Sequence, residues 1–403
     1  MRTFVRSLLV CAGILLARPA AAQDEPQWIR DLEKRIDAAV EAAVPHIEAA
    51  ADAISRMVEE QLGEPPRPPR ARRSLRQQPP EPPQPPQTPR PGARPPRPPR
   101  PPVDDDRRRG PEYTDNFSRT LKFPRGGSLE LSNIAGDVVI NGVQSDDLHI
   151  EAVKRVRDGN QNDARELLRE LDVQVTERGG VVEVKTEFPR RRNVSGSVDF
   201  TIALPSGANV SVRTVSGDLH ITNVRGELRA DSVSGDIVTA SIGRLRRVKS
   251  VSGDVTITYS EGDDVSGGTI SGDLEVRGLK ARSVEFEAVS GDLRFTDAEC
   301  ERLALKSISG DIDYTGRLAR NGRYELQTNS GDILVTPTGN TGFDVEASTF
   351  SGDIRSTFGL SVRGVGNSLN GRGPGRSVRG SVGDASAILS LRTFNGDIVI
   401  GKR

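Results

Sequence analysis

The sequence has few of the side chains that build metal centres, disulfides and stacking surfaces. Its 403 residues include two cysteines and three histidines, and aromatic residues make up 4%. His46, His149 and His220 do not stand in a zinc-binding spacing, which argues against a zinc site. Cys11 lies in the leader described below, so Cys300 has no partner for an internal disulfide. The scarcity of aromatics leaves few platforms for stacking bases or sugars.

Excess charge and long apolar runs are also missing. Lys plus Arg and Asp plus Glu both number 56, a balance that argues against nucleic-acid binding as a main task. After the leader, no stretch approaches the ~20 apolar residues that cross a bilayer, so we expect no transmembrane helix in the mature chain. Nucleophile-elbow and phosphate-loop motifs are absent as well, and "GRGPGRS" at Gly371–Ser377 is interpreted as a flexible loop. We therefore predict no catalytic, cofactor-binding or metal-binding residues.

The first 22 residues have the pattern of a signal peptide. Arg2 and Arg6 precede an apolar run, and the small residues Ala20 to Ala22 offer a cleavage site. A lipoprotein signal at "LLVC" fits less well because Val10 is not small. The pattern predicts an exported protein that resides in the periplasm or at the cell surface.

Residues 23–62 form a predicted amphipathic helical segment. Its apolar residues advance by alternating steps of four and three, which places them on one stripe: Ile36, Val40, Ala43, Ile47, Ala50, Ile54 and Met57. A stripe this narrow resembles a short coiled-coil seam, although Pro45 should kink it. Two interpretations stay open, a homo-oligomer formed through residues 23–62 and a lone amphipathic helix.

Residues 63–111 are a predicted disordered linker rich in proline and arginine. Dense proline favours extended polyproline II at ~3.1 Å per residue, so roughly 40 residues could reach about 120 Å. One interpretation is a spacer that its charge keeps extended. The other is contact with an anionic envelope polymer or an acidic partner.

Residues 112–213 are predicted to be the N-terminal β-rich part of a repeat domain. Alternating strands are interrupted by one short helix expected at Ala164–Leu171, with Asn162 or Asp163 as its cap. Gly179 and Gly180 join two strands and predict a hairpin.

Residues 214–403 repeat a Ser-Gly-Asp unit. The steps between aspartates are 18, 18, 19, 19, 19, 21, 21 and 44 residues. An apolar residue follows each aspartate, and a small residue stands four positions before it. No unit has helical spacing, so we predict an all-β fold, a parallel β-solenoid of 18–21-residue rungs. The aspartates are Asp218, Asp236, Asp254, Asp273, Asp292, Asp311, Asp332, Asp353 and Asp397.

The Ser-Gly-Asp triplet is interpreted as a corner of the fold. Glycine supplies a backbone conformation with positive φ, and Ser and Asp are side chains that bond nearby backbone N–H groups in tight turns. A calcium ladder is the alternative. It fits less well because calcium takes six to eight oxygens, whereas only one acid recurs per unit.

These motifs carry a family resemblance. "SGD" before an apolar-any-apolar triplet, "GDVVI" at Gly136–Ile140 and the closing "LRTFNGDIVI" resemble bacterial β-strand-repeat proteins of unknown function that are catalogued as putative adhesins. The resemblance covers roughly Phe117 to Ile400. It implies export and a solenoid, and it offers no catalytic residues to carry over.

We therefore expect a cell-envelope interaction or structural protein, adhesin-like and not an enzyme, that binds an envelope polymer or protein through its strand faces. The alternative is an envelope polysaccharide lyase or hydrolase, since parallel β-helices host such enzymes. A ladder of equivalent aspartates satisfies the carboxylate separation of a glycosidase without indicating one. His220 should point outward, and Cys300 is expected to be an unpaired thiol in a loop or at an edge.

Overall fold

A computed structural model of the chain describes residues 111–158, 160–188, 196–359, 361–362 and 376–401. The predicted signal peptide, the amphipathic segment and nearly all of the predicted linker lie outside these residues. In the described part, no helix is long and apolar enough to cross a membrane.

The described residues form 25 strands and one helix, joined in a single hydrogen-bonded sheet. The first part of the chain contains β1 (Glu112–Lys122), β2 (Ser128–Ala135), β3 (Val138–Val143), β4 (Asp147–Arg157), α1 (Gln161–Glu170), β5 (Asp172–Arg178), β6 (Val181–Glu187) and β7 (Gly196–Pro205). The repeats contain β8 (Asn209–Ser216), β9 (Leu219–Thr222), β10 (Glu227–Ser234), β11 (Ile237–Ala240), β12 (Arg244–Ser252), β13 (Val255–Thr258), β14 (Glu261–Ser271), β15 (Leu274–Arg277), β16 (Lys280–Ser290), β17 (Leu293–Ser309), β18 (Ile312–Ser330) and β19 (Ile333–Thr338). The last strands are β20 (Phe343–Ser351), β21 (Ile354–Ser356), β22 (Ser361–Val362), β23 (Arg376–Val382), β24 (Ala387–Asn395) and β25 (Ile398–Ile400).

Most strands pair in parallel within two ladders. The first ladder consists of the strands that precede the corners and runs through β6, β2, β8, β10, β12, β14, β16, β17, β18, β24 and β20. The second consists of the strands that follow the corners and runs through β7, β3, β9, β11, β13, β15, β17, β18, β19, β25 and β21. The all-β class with parallel pairing is therefore confirmed.

The register of the ladders keeps equivalent residues side by side. In the second ladder Leu219 pairs with Ile237, and Ile237 pairs with Val255. These residues directly follow the corner aspartates, and all three are fully buried. Alternate side chains along each strand point inward because successive residues of a strand face opposite sides, which builds one apolar core between the ladders.

Sequence order and spatial order differ at the end of the chain. β24 and β25 lie between β18–β19 and β20–β21, so the last repeat is hydrogen-bonded on both sides. The step of 44 residues before Asp397 therefore contains more than a loop, since β23 within it pairs antiparallel with β20. Near the other end, β2 pairs with β8 and β3 with β9, which joins the predicted N-terminal part to the repeats.

The helix begins earlier than predicted. α1 spans Gln161–Glu170, and its cap is Asn160, whose side chain accepts a hydrogen bond from the backbone N–H of Asn162. Asp163, one of the two predicted caps, lies inside the first turn and accepts a hydrogen bond from Asn160. The helix buries its apolar face beside β4 and β1. The hairpin prediction is confirmed, since β5 and β6 pair antiparallel around Gly179 and Gly180, which both have positive φ.

The corner glycines generate the first testable prediction. Gly253 has φ +140°, and a Cβ on it would lie 2.3 Å from the carbonyl oxygen of Gly235 in the neighbouring layer. Because that oxygen belongs to a hydrogen-bonded backbone, we expect Gly253→Ala to cost on the order of 3 kcal/mol of unfolding free energy. Urea denaturation measures the change.

Gly207→Ala is the matched control. A Cβ at Gly207 would meet nothing within 4 Å, so this variant should unfold close to wild type. Equal unfolding midpoints for the two variants would contradict the account of the corner.

Candidate functional surface

The corner aspartates form a continuous chain of hydrogen bonds between layers. The backbone N–H of Asp254 donates to Oδ1 of Asp236 at 2.8 Å, and the N–H of Asp273 donates in turn to Oδ1 of Asp254 at 2.8 Å. The same bond recurs along the stack, in the spatial order Asp199, Asp137, Asp218, Asp236, Asp254, Asp273, Asp292, Asp311, Asp332, Asp397 and Asp353. Each bond thus joins a carboxylate to the next layer, where the sequence indicated only a local turn.

The glycine of each corner lets neighbouring layers approach. Corner glycines have φ between +113° at Gly136 and +155° at Gly396, a region that other residues resist. The N–H of Gly235 donates to the carbonyl oxygen of Ser252 at 3.0 Å. The predicted positive φ is confirmed, and the close contact between layers is a second reason why glycine is needed here.

The small residue four positions before the aspartate is buried at every corner. Several of these side chains donate to the carbonyl oxygen of a corner glycine in the adjacent layer, as Thr328 Oγ1 does to Gly310 at 3.0 Å. Asn133 occupies the equivalent position before Asp137. It donates to the carbonyl oxygens of Gly136 and Val198 and accepts a hydrogen bond from Thr186. The repeat pattern in the sequence did not reveal Asn133, because this residue is neither small nor followed by Ser-Gly-Asp.

Beside the aspartates runs a column of partly exposed apolar residues. Each stands three positions before a corner aspartate, and each is intermediate between buried and exposed. At one end of this column the rings of Phe350 and Phe394 stack with centroids 4.7 Å apart. Serine stands two positions before most of the corner aspartates, as Ser252 does before Asp254. We call the apolar column, this serine column and the aspartate column together the corner edge. The apolar column contains Ile134, Val215, Val233, Val251, Ile270, Val289, Ile308, Phe394 and Phe350, and the polar residue Asn329 interrupts it between Ile308 and Phe394.

Four arginines contact aspartates of this series. Arg155 lies 2.9 Å from Oδ2 of Asp199. Arg294 donates to Oδ2 of Asp292 at 3.0 Å. Arg355 lies 3.2 Å from Oδ2 of Asp353, and Arg376 of β23 also pairs with Asp353. Arg376 lines an open recess of about 380 Å³ together with Ser348, Thr349, Phe350, Ser377 and Thr393.

Cys300 is not a loop or edge thiol, which corrects the expectation from sequence. β17 continues through it without a break, and its side chain is 5% exposed. Burial raises the pKa of the Cys300 thiol to about 12, so the reactive thiolate is disfavoured. Tyr324 donates from its hydroxyl to the carbonyl oxygen of Cys300 at 2.6 Å.

The two described histidines are both on the surface. His220 is exposed on β9, as its position between two inward residues predicted. His149 lies 2.8 Å from Thr120 Oγ1 through Nδ1 and 2.9 Å from Glu151 through Nε2. Among the described residues, no group of three or more histidine, cysteine or acidic side chains is placed to hold a metal ion.

The aspartate column leads to a prediction at Asp254. Asp254→Ala removes the acceptor for the N–H of Asp273 and should lower the unfolding free energy by about 1 kcal/mol. Asp254→Asn keeps an oxygen at the same position and should unfold close to wild type. Thermal unfolding with and without EDTA completes the measurement, and we expect no shift. A large drop with EDTA, or equal losses in the two variants, would favour the calcium alternative.

The buried thiol leads to a second prediction. In the native protein at pH 8, iodoacetamide should leave Cys300 unmodified, whereas unfolding in urea should allow rapid labelling. Because the folded state holds the pKa of this thiol near 12 against a reference value of 9.0, the contribution of Cys300 to stability is complete below pH 9 and declines above it. Fast labelling of the folded chain would show that the thiol is accessible.

One comparison with known proteins shows the family of this chain. No curated protein matches the chain. Similar solved structures include a putative adhesin from Bacteroides fragilis at 14% identity and TM-score 0.36, a putative lipid binding protein from Parabacteroides distasonis at 10% and 0.36, and a putative adhesin from Parabacteroides distasonis at 12% and 0.33. Each comparison covers 72% of this chain and 97% of the other. The family model described as Toastrack DUF4097 matches residues 127–401, and the chain belongs to that family.

Proposed function

We propose that the folded part is a β-solenoid of 18–21-residue layers that acts by binding and not by catalysis. The register supports the solenoid, because partners in the second ladder are separated by one sequence repeat, as Leu219 and Ile237 are. At the corners each layer then presents an aspartate at the same place on the outside, whereas the outward residues of the second ladder differ in kind, as His220, Val238 and Thr256 do. This repetition of exposed columns is the observation that carries the proposal.

The binding mechanism is multivalent. Layers of paired strands follow one another at about 4.8 Å, so a long partner meets equivalent groups at a regular interval. Many weak contacts along one partner give a high combined affinity, provided that the spacing of the two matches. Next to the corners, outward residues of the second ladder such as His220, Val238 and Thr256 lie side by side on one strand face.

The envelope is the proposed location. The predicted signal peptide at residues 1–22 supports export, and the predicted linker at residues 63–111 would hold the folded part away from an attachment point. An envelope polymer or an envelope protein is the proposed partner, at the periplasmic or the outer surface.

The contacts of the corner aspartates and the burial of Cys300 support a non-catalytic role. Corner carboxylates accept backbone hydrogen bonds in layer after layer, and Cys300 is buried with a raised pKa. An active site requires one layer whose groups differ from the others. The recess at Arg376 is a place where such a difference occurs, so the experiment below includes an assay for hydrolysis or elimination.

The proposal predicts micromolar binding of the mature chain to an isolated envelope polymer, measured by co-sedimentation with peptidoglycan sacculi and on a glycan array. Replacing Val238 and Thr256 together by lysine should reduce binding at least tenfold, because both side chains point outward from one face. Lysine at Glu299 and Glu301 is the control for added positive charge at exposed positions.

Failure to bind any probe at micromolar concentration would count against the proposal. Release of reducing or unsaturated sugars from the polymer would overturn it in favour of a hydrolase or lyase. Protease accessibility on intact cells distinguishes the periplasm from the outer surface.

A further inference from the structure

The corner edge combines apolar and acidic character over consecutive layers. Val233, Val251 and Ile270 are partly exposed in neighbouring layers, and the aspartate column runs beside them, separated by the serines. A partner that fits this edge must therefore be extended, partly apolar and positively charged. This requirement rests on the binding function proposed above.

Several aspartates of the edge have an oxygen to offer a partner. Asp236, Asp273 and Asp311 are exposed, and each uses Oδ1 to accept a backbone N–H of the next layer. Within the described residues, no lysine or arginine lies within 4 Å of these three carboxylates. Among the described residues, the hydrogen bonds found at these three carboxylates engage Oδ1 and not Oδ2.

The protein already shows which group the edge accepts. Arg294 and Arg355 place guanidinium nitrogens on Oδ2 atoms of Asp292 and Asp353. Arg376 is independent of the repeats, because it arrives on the antiparallel strand β23 and still pairs with Asp353. Arginine is favoured at carboxylates because its planar fork offers several donors.

The sequence contains a peptide with matching spacing. Arginine recurs at every third residue at Arg94, Arg97 and Arg100, with prolines between them. A polyproline II chain has three residues per turn and rises 3.1 Å per residue, so such arginines lie on one side at intervals of about 9.3 Å. Two layers of the stack span about 9.6 Å. Over the two intervals from Arg94 to Arg100, the spacing of the arginines and the spacing of the layers differ by a total of only about 0.6 Å.

We propose that the corner edge binds the proline- and arginine-rich segment of a second copy of this chain. In one register, the three arginines pair with Asp236, Asp273 and Asp311, which are spaced two layers apart. The intervening prolines pack on the apolar column, in the way that proline-rich peptides dock on apolar grooves. Arginine also recurs at every third residue at Arg67, Arg70, Arg73 and Arg76, with prolines only between the first two, and this segment offers a second peptide, so copies associate through more than one contact.

Sedimentation equilibrium of the mature full chain tests the proposal. We expect concentration-dependent self-association in 50 mM salt that 500 mM salt weakens. The triple variant Asp236→Asn, Asp273→Asn, Asp311→Asn should raise the dissociation constant roughly tenfold, as three exposed ion pairs predict. Asparagine keeps the Oδ1 acceptor, so the chain of hydrogen bonds between layers remains. The matched control is Asp263→Asn, Glu299→Gln, Glu301→Gln, which removes three exposed charges elsewhere and should associate like wild type.

A peptide competition on the wild-type chain provides a measurement that does not depend on folding of the variants. A synthetic peptide of residues 93–102 should compete with the segment and dissociate the self-associated chains. A peptide of the same composition with its three arginines adjacent should dissociate them much less effectively. Equal competition by both peptides, unchanged association in the aspartate variant, or a monomer at all concentrations in low salt would overturn the proposal. Retained polymer binding in that case would show that the proposed function stands without it.

Discussion

The contact between successive corners determines most of the fold of the described residues. At each corner a glycine with positive φ lets the neighbouring layer approach so closely that no Cβ fits, as at Gly253. The aspartate after it accepts the N–H of the next corner, so the backbone polar groups of a sharp bend find partners within the stack. Because every corner makes the same two contacts with the next layer, equivalent strands lie in register on both sides of the corner.

The same contact explains the surface. Each corner aspartate uses Oδ1 to bind the backbone of the next layer, as Asp254 does. The residue two positions before the glycine is left partly exposed because the chain turns there, as at Val251. Acidic and apolar columns therefore run side by side along the corner edge as a consequence of building the bend. The proposed binding function would use this surface, which arises from the structure of the bend, and would require a partner that is itself repetitive.

The ends of the stack depend on other interactions. Open layers would leave unpaired strand edges, which favour aggregation. At one end β4 pairs antiparallel with β7 and with β1, and β5 pairs antiparallel with β6. The helix α1 packs beside β4 and β1. At the other end β23 pairs with β20, and the ring of Phe358 packs edge-on against Phe343. The last repeat is held between two earlier ones, which gives β24 partners on both edges.

The repeat alone determined the corner and the core. Local chemistry dictated them, since glycine is needed for positive φ, an apolar residue such as Leu219 must face inward, and the column containing Thr328 must stay small to fit under the bend. The partner of each aspartate, the position of the last repeat and the burial of Cys300 were decided by tertiary structure. Because the repeats have equivalent residues, those residues do not determine which repeat pairs with which. The connecting segments and the packing at the two ends therefore select the observed order of the strands. Burial of a side chain in a strand likewise depends on neighbours that are distant in sequence. The residues around Cys300 therefore could not predict that its thiol is buried.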